Sequence, residues 1–262
     1  MNKLRYLPYL LLLTFFVLSS CKSDDSSGGD DTEEPNPNAA NLLSVGDSAA
    51  DLLGNTNFDA INVELVFVEN FNPRAETIDN LRIFLEERLN KPGGITFTQR
   101  SIAPIGMQPF STAEIAEIED QVRTVYNQGT TLGVFIFFTD GANINDTQFS
   151  KTLGTAYRNT SLVIYEETIR EFSDETGEPG RVALESTTLN HEFGHLLGLV
   201  DLGTPLASDH EDPINTHHCV VEDCLMFFQT EIQGGIFKMK NYNAITPLDP
   251  LCIADLQANG GL

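Results

Sequence analysis

All five histidines of this 262-residue chain fall between positions 191 and 218, and the first two stand in the run His191-Glu192-Phe193-Gly194-His195. Side chains four apart on a helix lie one above the other on the same face, so His191 and His195 can offer two ring nitrogens to one metal ion. Glu192 sits beside them, placed to take a proton from a metal-bound water. This is the H-E-x-x-H arrangement of two metal ligands and a general base, with zinc the expected ion. It constrains the fold as well as the chemistry. The run has to lie on a helix, here closed by Gly198, and a third ligand has to return from outside that helix, because catalytic zinc takes three protein ligands and keeps one position open.

The residues upstream supply a scaffold for such a helix. Ile61 to Val68 reads as a strand with Val63, Leu65 and Phe67 alternating against its other face. Asn72-Pro73 reads as a cap and first helical residue, ahead of Ile78, Leu81, Leu85 and Leu89 at helical spacing. Pro92-Gly93-Gly94 ends that helix and Ile95 to Thr98 begins a second strand. Ser111 and Glu114 have capping-box spacing, followed by Ile115, Ile118, Val122 and Val125 on one helical face. Leu132 to Phe138 is the near-continuous apolar run of a strand covered on both sides. Ser161 to Tyr165 is a further short strand, and Arg181 to Leu197 is the helix that carries both motif histidines. The order predicts an α+β fold: a mixed, twisted sheet with helices packed on it and the metal helix beneath the sheet's edge. Residues 199–247 are mostly irregular, and the chain closes with a helix from Asp249 to Gln257 whose buried stripe is Leu251, Cys252 and Leu256. A regular upper part and a loop-rich lower part would leave a cleft between them for a substrate.

The N-terminus reads as an address. Lys3 and Arg5 precede a short apolar stretch, Tyr6 to Leu18, too short for a bilayer span of about 20 residues. It closes with Leu18-Ser19-Ser20-Cys21, which resembles a bacterial lipobox. The resemblance implies a signal peptide over residues 1–20 and lipidation of Cys21. Residues 21–45 have the composition of an acidic, disordered tether, which leaves 46–262 as the catalytic domain. Asp24 and Asp25 resemble the export tag of surface-displayed lipoproteins. The expected location is extracytoplasmic, lipid-anchored to the outer membrane, with contact to the membrane through the anchor alone. The net charge of −23, with 15 basic residues and no cluster of them, excludes nucleic acid as a partner.

His191, Glu192, His195, Gly198 and Asp201 match the extended H-E-x-x-H-x-x-G-x-x-H/D motif, and the chain here resembles the metzincin zinc peptidases. The segment His218-Cys219-Val220-Val221-Glu222-Asp223-Cys224-Leu225-Met226 is similar to the His-Cys-x4-Cys-x-Met signature of the archaemetzincin group. The resemblance implies a metzincin-like zincin fold, zinc as cofactor and a protein or peptide substrate. It implies Glu192 as general base and Met226 as the methionine of the turn beneath the metal. In archaemetzincin-like chains the third ligand directly precedes the first cysteine and also stands three after the glycine. Here those positions are separate. His218 stands beside Cys219 and Asp201 has the glycine spacing, so the third ligand is His218 or, alternatively, Asp201, with His210 and His217 as outlying candidates or plain surface loop. Phe227 and Phe228 follow Met226 where many metzincins have a tyrosine, and Tyr242 is the available substitute.

Cys219 and Cys224, five apart in an oxidising compartment, are expected to form a disulfide. Archaemetzincins use such cysteines with a later Cys-x-x-Cys pair to hold a second zinc. This chain lacks that pair, so a second zinc is not expected and Cys252 reads as a small buried apolar residue. The resemblance also implies that the substrate adds to the edge of the strand at Ser161 to Tyr165. A surface binding lipoprotein with a structural zinc, or a hydrolase of non-peptide bonds, are the rival readings.

Overall fold

The computed structural model describes residues 36–106, 108–176, 178–228 and 244–262, together with the backbone of 232–233. The expected signal peptide, Cys21, the tether up to residue 35 and Tyr242 lie outside the described residues.

In chain order the first elements are α1 (Ala49–Leu53), β1 (Ala60–Val68), α2 (Ala75–Glu86), β2 (Gly94–Ile102), α3 (Thr112–Val122) and β3 (Thr131–Thr139). After these come β4 (Ser150–Lys151), β5 (Gly154–Arg158), β6 (Ser161–Tyr165), α4 (Glu166–Glu171), α5 (Arg181–Leu196), β7 (Ile232–Gln233) and α6 (Pro250–Ala258). Five strands form one twisted sheet in the order β2-β1-β3-β6-β5. The pairings β1–β2, β1–β3 and β3–β6 are parallel, and only β5 runs antiparallel, against β6. The expected mixed sheet with helices packed on it is therefore present, mainly parallel.

Period-two alternation sorts the strand residues between two cores. Val63, Leu65, Val134, Ile136 and Phe138 join one core with α2, α5 and α6. Val66, Val68, Phe135 and Phe137 join the other, under Ile115 and Ile118 of α3. This is why β3 reads as an unbroken apolar run: both of its faces are covered. The Ser111–Glu114 capping box is formed in both directions at the start of α3. Element ends differ from the expected ones. α2 begins at Ala75 with Arg74 as its cap, not at Asn72-Pro73, and stops short of Leu89, while α3 stops at Val122. In α6 the buried residues are Cys252, Asp255 and Leu256, with Leu251 only partly covered.

Two differences bear on the site. β6 is interior, between β3 and β5, so it has no free edge for a substrate; the edge strand on this side of the sheet is β5, a segment with no alternation to announce it. Residues 36–45, expected as the end of the tether, are folded onto the domain. Asn41 is buried and donates to the carbonyl of Gly133 and to Thr160, and Asn159 donates to the carbonyl of Ala40. These amide side chains supply hydrogen bonds that the two backbone carbonyls would otherwise need from water. Lys91 fastens the next stretch, its Nζ donating to the carbonyls of Asp51, Gly54 and Phe58.

The start of α5 is held by a buried charge cluster. Arg181 bonds both Glu185 and Glu166; Glu166 also accepts from Arg170, and Glu185 accepts from Thr77. Burial, with the neighbouring Glu185 adding to it, outweighs the arginines at Glu166 and raises its carboxyl from 4.5 to about 8. A carboxyl raised in the fold stabilises fully below its unfolded value and loses that contribution as pH climbs through the folded one. Melting temperature should therefore carry a downward component between pH 4.5 and about 8. Glu166→Gln, fixed in the neutral form, should flatten it, as thermal melts across that range would show; an unchanged slope would remove Glu166 as its source.

Candidate metal centre

His191 and His195 occupy successive turns of α5, whose inner face is buried against the sheet edge and α2. Their Nε2 atoms lie 3.1 Å apart. Tetrahedral zinc with bonds of about 2.0–2.1 Å would place two nitrogen donors roughly 3.4 Å from each other, so both rings already face one point. His218 arrives from the downstream loop and completes the group. Its ring centroid is 5.4 Å from that of His191 and 5.1 Å from that of His195, and one ligand atom from each of the three lies within 4.8 Å of the others. Burial, with the charge of His218 acting in the same sense, lowers His191 to about 4; burial and the other histidines lower His195 well below the usual range. Both rings are neutral at physiological pH, the form that donates a lone pair to a cation.

The helix ends as the motif requires. Gly198 has φ +72°, and a Cβ there would meet the backbone nitrogen of Thr204 and the Cβ of Ala49. Thr204 closes the turn by donating from Oγ1 to the carbonyl of Leu197 at 2.6 Å. Val200 and Asp201 also adopt positive φ, which buries Leu199 and Val200 in the core and leaves Asp201 exposed. Asp201 is thus outside the group of three that the fold brings together. His217 lines the cleft with a side chain 43% exposed. His210 is neither surface loop nor part of the histidine group. It is buried, its Nε2–H donating to Asp255 at 2.7 Å and its Nδ1 lying 3.3 Å from the sulfur of Cys219.

Glu192 lies beside the three histidines in a cleft of about 340 Å³. Its Oε2 accepts a 2.8 Å bond from the backbone N–H of Ala156 in the edge strand β5. A Cβ on Gly154 would fall 2.6 Å from Cγ of Glu192, so only glycine allows the carboxylate to approach the strand this closely. Val45, from the segment expected to be tether, also lines the cleft, as does Leu202. Met226 is fully buried, its sulfur packed where a Cβ on Gly194 of the metal helix would collide with it. His191 is oriented from the same segment: its Nδ1–H donates to the carbonyl of Leu225 at 2.7 Å.

The expected Cys219–Cys224 disulfide is not formed. Both are free, buried thiols, and so is Cys252. The three sulfurs and a carboxylate oxygen of Asp249 lie within 4.8 Å of one another. The reason is the first turn of α6. Asp249 is its N-cap, accepting from the backbone N–H of Cys252, and the three-residue spacing turns both side chains toward the loop that carries Cys219 and Cys224. Cys252 is therefore a member of a donor cluster rather than an inert apolar residue, and a second cation site, not expected without a later Cys-x-x-Cys pair, has its four donors here. Hydrogen bonds from Cys224 and Cys252 push the Cys219 thiol down, and the same bonding pushes Cys224 and Cys252 up. Soft thiolates with one carboxylate are a donor set suited to zinc, and burial of so many potential anions calls for a counter-charge.

No family model and no curated protein matches the chain. Among solved structures it is similar to an archaemetzincin from Methanopyrus kandleri, with 16% identity over 77% of this chain and 96% of that one and a TM-score of 0.43. It is also similar to metalloproteinase-II from Bacteroides fragilis, with 15% identity, 86% of this chain aligned to 58% of that one and a TM-score of 0.39.

Proposed function

We propose that the chain is a zinc-dependent endopeptidase, with His191, His195 and His218 as metal ligands and Glu192 as general base. The observation that carries the reading is the convergence of three imidazole donors on one point, with a carboxylate beside them in an open cleft. A purely structural cation has no use for that carboxylate. Zinc bound there would polarise the scissile carbonyl and acidify the attacking water. Glu192 takes the water's proton and returns it to the leaving amine. The N–H of Ala156 holds one of its oxygens at 2.8 Å and so fixes where the proton is received. A peptide would extend along β5, the sheet edge beside Glu192, through main-chain hydrogen bonds. The cluster of Cys219, Cys224, Cys252 and Asp249 holds a second, structural cation in this reading, which also protects three thiols from oxidation outside the cytoplasm. The chain is anchored there through Cys21. Met226 supports the metal helix by packing on Gly194.

Incubation of the purified chain with a mixed peptide library, read by mass spectrometry, tests the activity. Cleavage abolished by a chelator and restored by zinc is expected; bound zinc with no cleavage would favour a binding lipoprotein instead. Gly154→Ala should displace Glu192 without touching a ligand. Turnover is expected to fall by about a hundredfold, the typical cost of a misplacement near 1 Å, at unchanged metal content. Equal turnover in steady-state assays would mean that Gly154 does not position the base.

A further inference from the structure

We propose that the thiol–carboxylate cluster controls the catalytic centre: a cation held by Cys219, Cys224, Cys252 and Asp249 fixes the Leu225 carbonyl that orients His191, so filling the cluster tightens zinc binding at the histidines. The inference rests on His191 being a ligand of the proposed peptidase centre.

The physical link is short. The bond from His191 Nδ1–H to the Leu225 carbonyl leaves Nε2 of that ring to face His195. His195 has no such support, since its Nδ1 finds no hydrogen-bond partner among the described residues. The Leu225 carbonyl is thus a hydrogen-bonded support of the pair, and the residue that carries it is tied to cluster segments. Leu225 follows the cluster residue Cys224 directly. Its own N–H donates to the carbonyl of Pro247 at 2.7 Å, two residues before Asp249. The next residue, Met226, donates from its N–H to the sulfur of Cys224 at 3.4 Å and accepts from the N–H of Cys219 at 2.8 Å. Between Leu199 and Phe227 the chain forms no helix or extended strand, only one antiparallel bridge, Glu211 with Cys219, and scattered backbone bonds, so this loop is held by few regular contacts. To the backbone bonds that hold it, a cation joining four donors from two segments would add the strongest cross-link.

Losing an outer partner of a metal-bound histidine typically lowers metal affinity about 10- to 100-fold. Coupling between two binding sites is also reciprocal, so each ion should tighten the other by the same factor. Cobalt(II) titration of the metal-stripped full chain separates the sites, because thiolate-to-cobalt charge transfer absorbs in the near ultraviolet and a histidine site shows only ligand-field bands in the visible. Two equivalents are expected, one with each signature. Cys252→Ser removes a donor on α6, outside the loop that carries Leu225. It should weaken cobalt binding at the histidines by about 10- to 100-fold. His195→Ala, which leaves the cluster intact, should weaken the charge-transfer site by a comparable factor and decides the matter if Cys252→Ser fails to fold. Affinities within twofold of the unmodified chain in either variant, or no charge-transfer band in that chain, would overturn the proposal. Both bands present without any peptide cleavage would count against the peptidase reading alone.

Discussion

Glu192→Gln is expected to keep its zinc and lose turnover by about a hundredfold to ten-thousandfold, the usual contribution of a positioned acid–base group. The amide can still accept the bond from the Ala156 N–H that holds the carboxylate, so the side chain should stay in place. What it cannot do is bind a proton at that atom. Steady-state kinetics on a cleaved peptide, beside metal analysis of the same preparation, separates the two properties. Activity at the level of the unmodified chain would remove Glu192 from the mechanism, and loss of zinc together with activity would make it a structural support of the site.

His218→Ala should strip the centre of its third ligand and leave a two-histidine site that loses its ion on dialysis, whereas Asp201→Ala should retain one ion at the histidines. The contrast follows from geometry: His218 lies within ligand reach of His191 and His195, while Asp201 is exposed beyond a run of positive-φ residues. Three protein donors are the minimum seen for a catalytic zinc, so the two substitutions should differ in kind rather than degree. Metal content of the two variants, measured after equal dialysis, is the check. The reverse result would make Asp201 the ligand and His218 a bystander.

The part of this site written in local spacing was legible in the chain. His191, Glu192 and His195 depend only on helical periodicity, and Gly198 on the turn that ends the helix. The sheet was legible where alternation or an unbroken apolar run records burial, as in β1 and β3. The third ligand stood open between His218 and Asp201, because its choice depends on how the loop after Gly198 closes, and the left-handed residues Val200 and Asp201 carry no strong sequence signal for that turn. The edge strand β5 was missed for a related reason. Gly154 answers to the approach of Glu192, a contact 38 residues away in the chain, and not to any strand pattern. In the sequence alone the thiol cluster reads as a disulfide and an apolar cysteine, because Asp249 looks like an ordinary helix cap. It is that cap, and it also faces three sulfurs. The pairing of His210 with Asp255 was equally hidden: both look like solvent-facing polar residues until α6 folds against the loop and buries them.

The most direct test is anomalous diffraction at the zinc absorption edge from crystals of the purified chain. A peak coordinated by Nε2 of His191, Nε2 of His195 and a ring nitrogen of His218, at bond lengths of about 2.0–2.1 Å, is the expected result. Zinc found only among the cysteines, or a map with no peak at the three histidines in zinc-replete crystals, would contradict it.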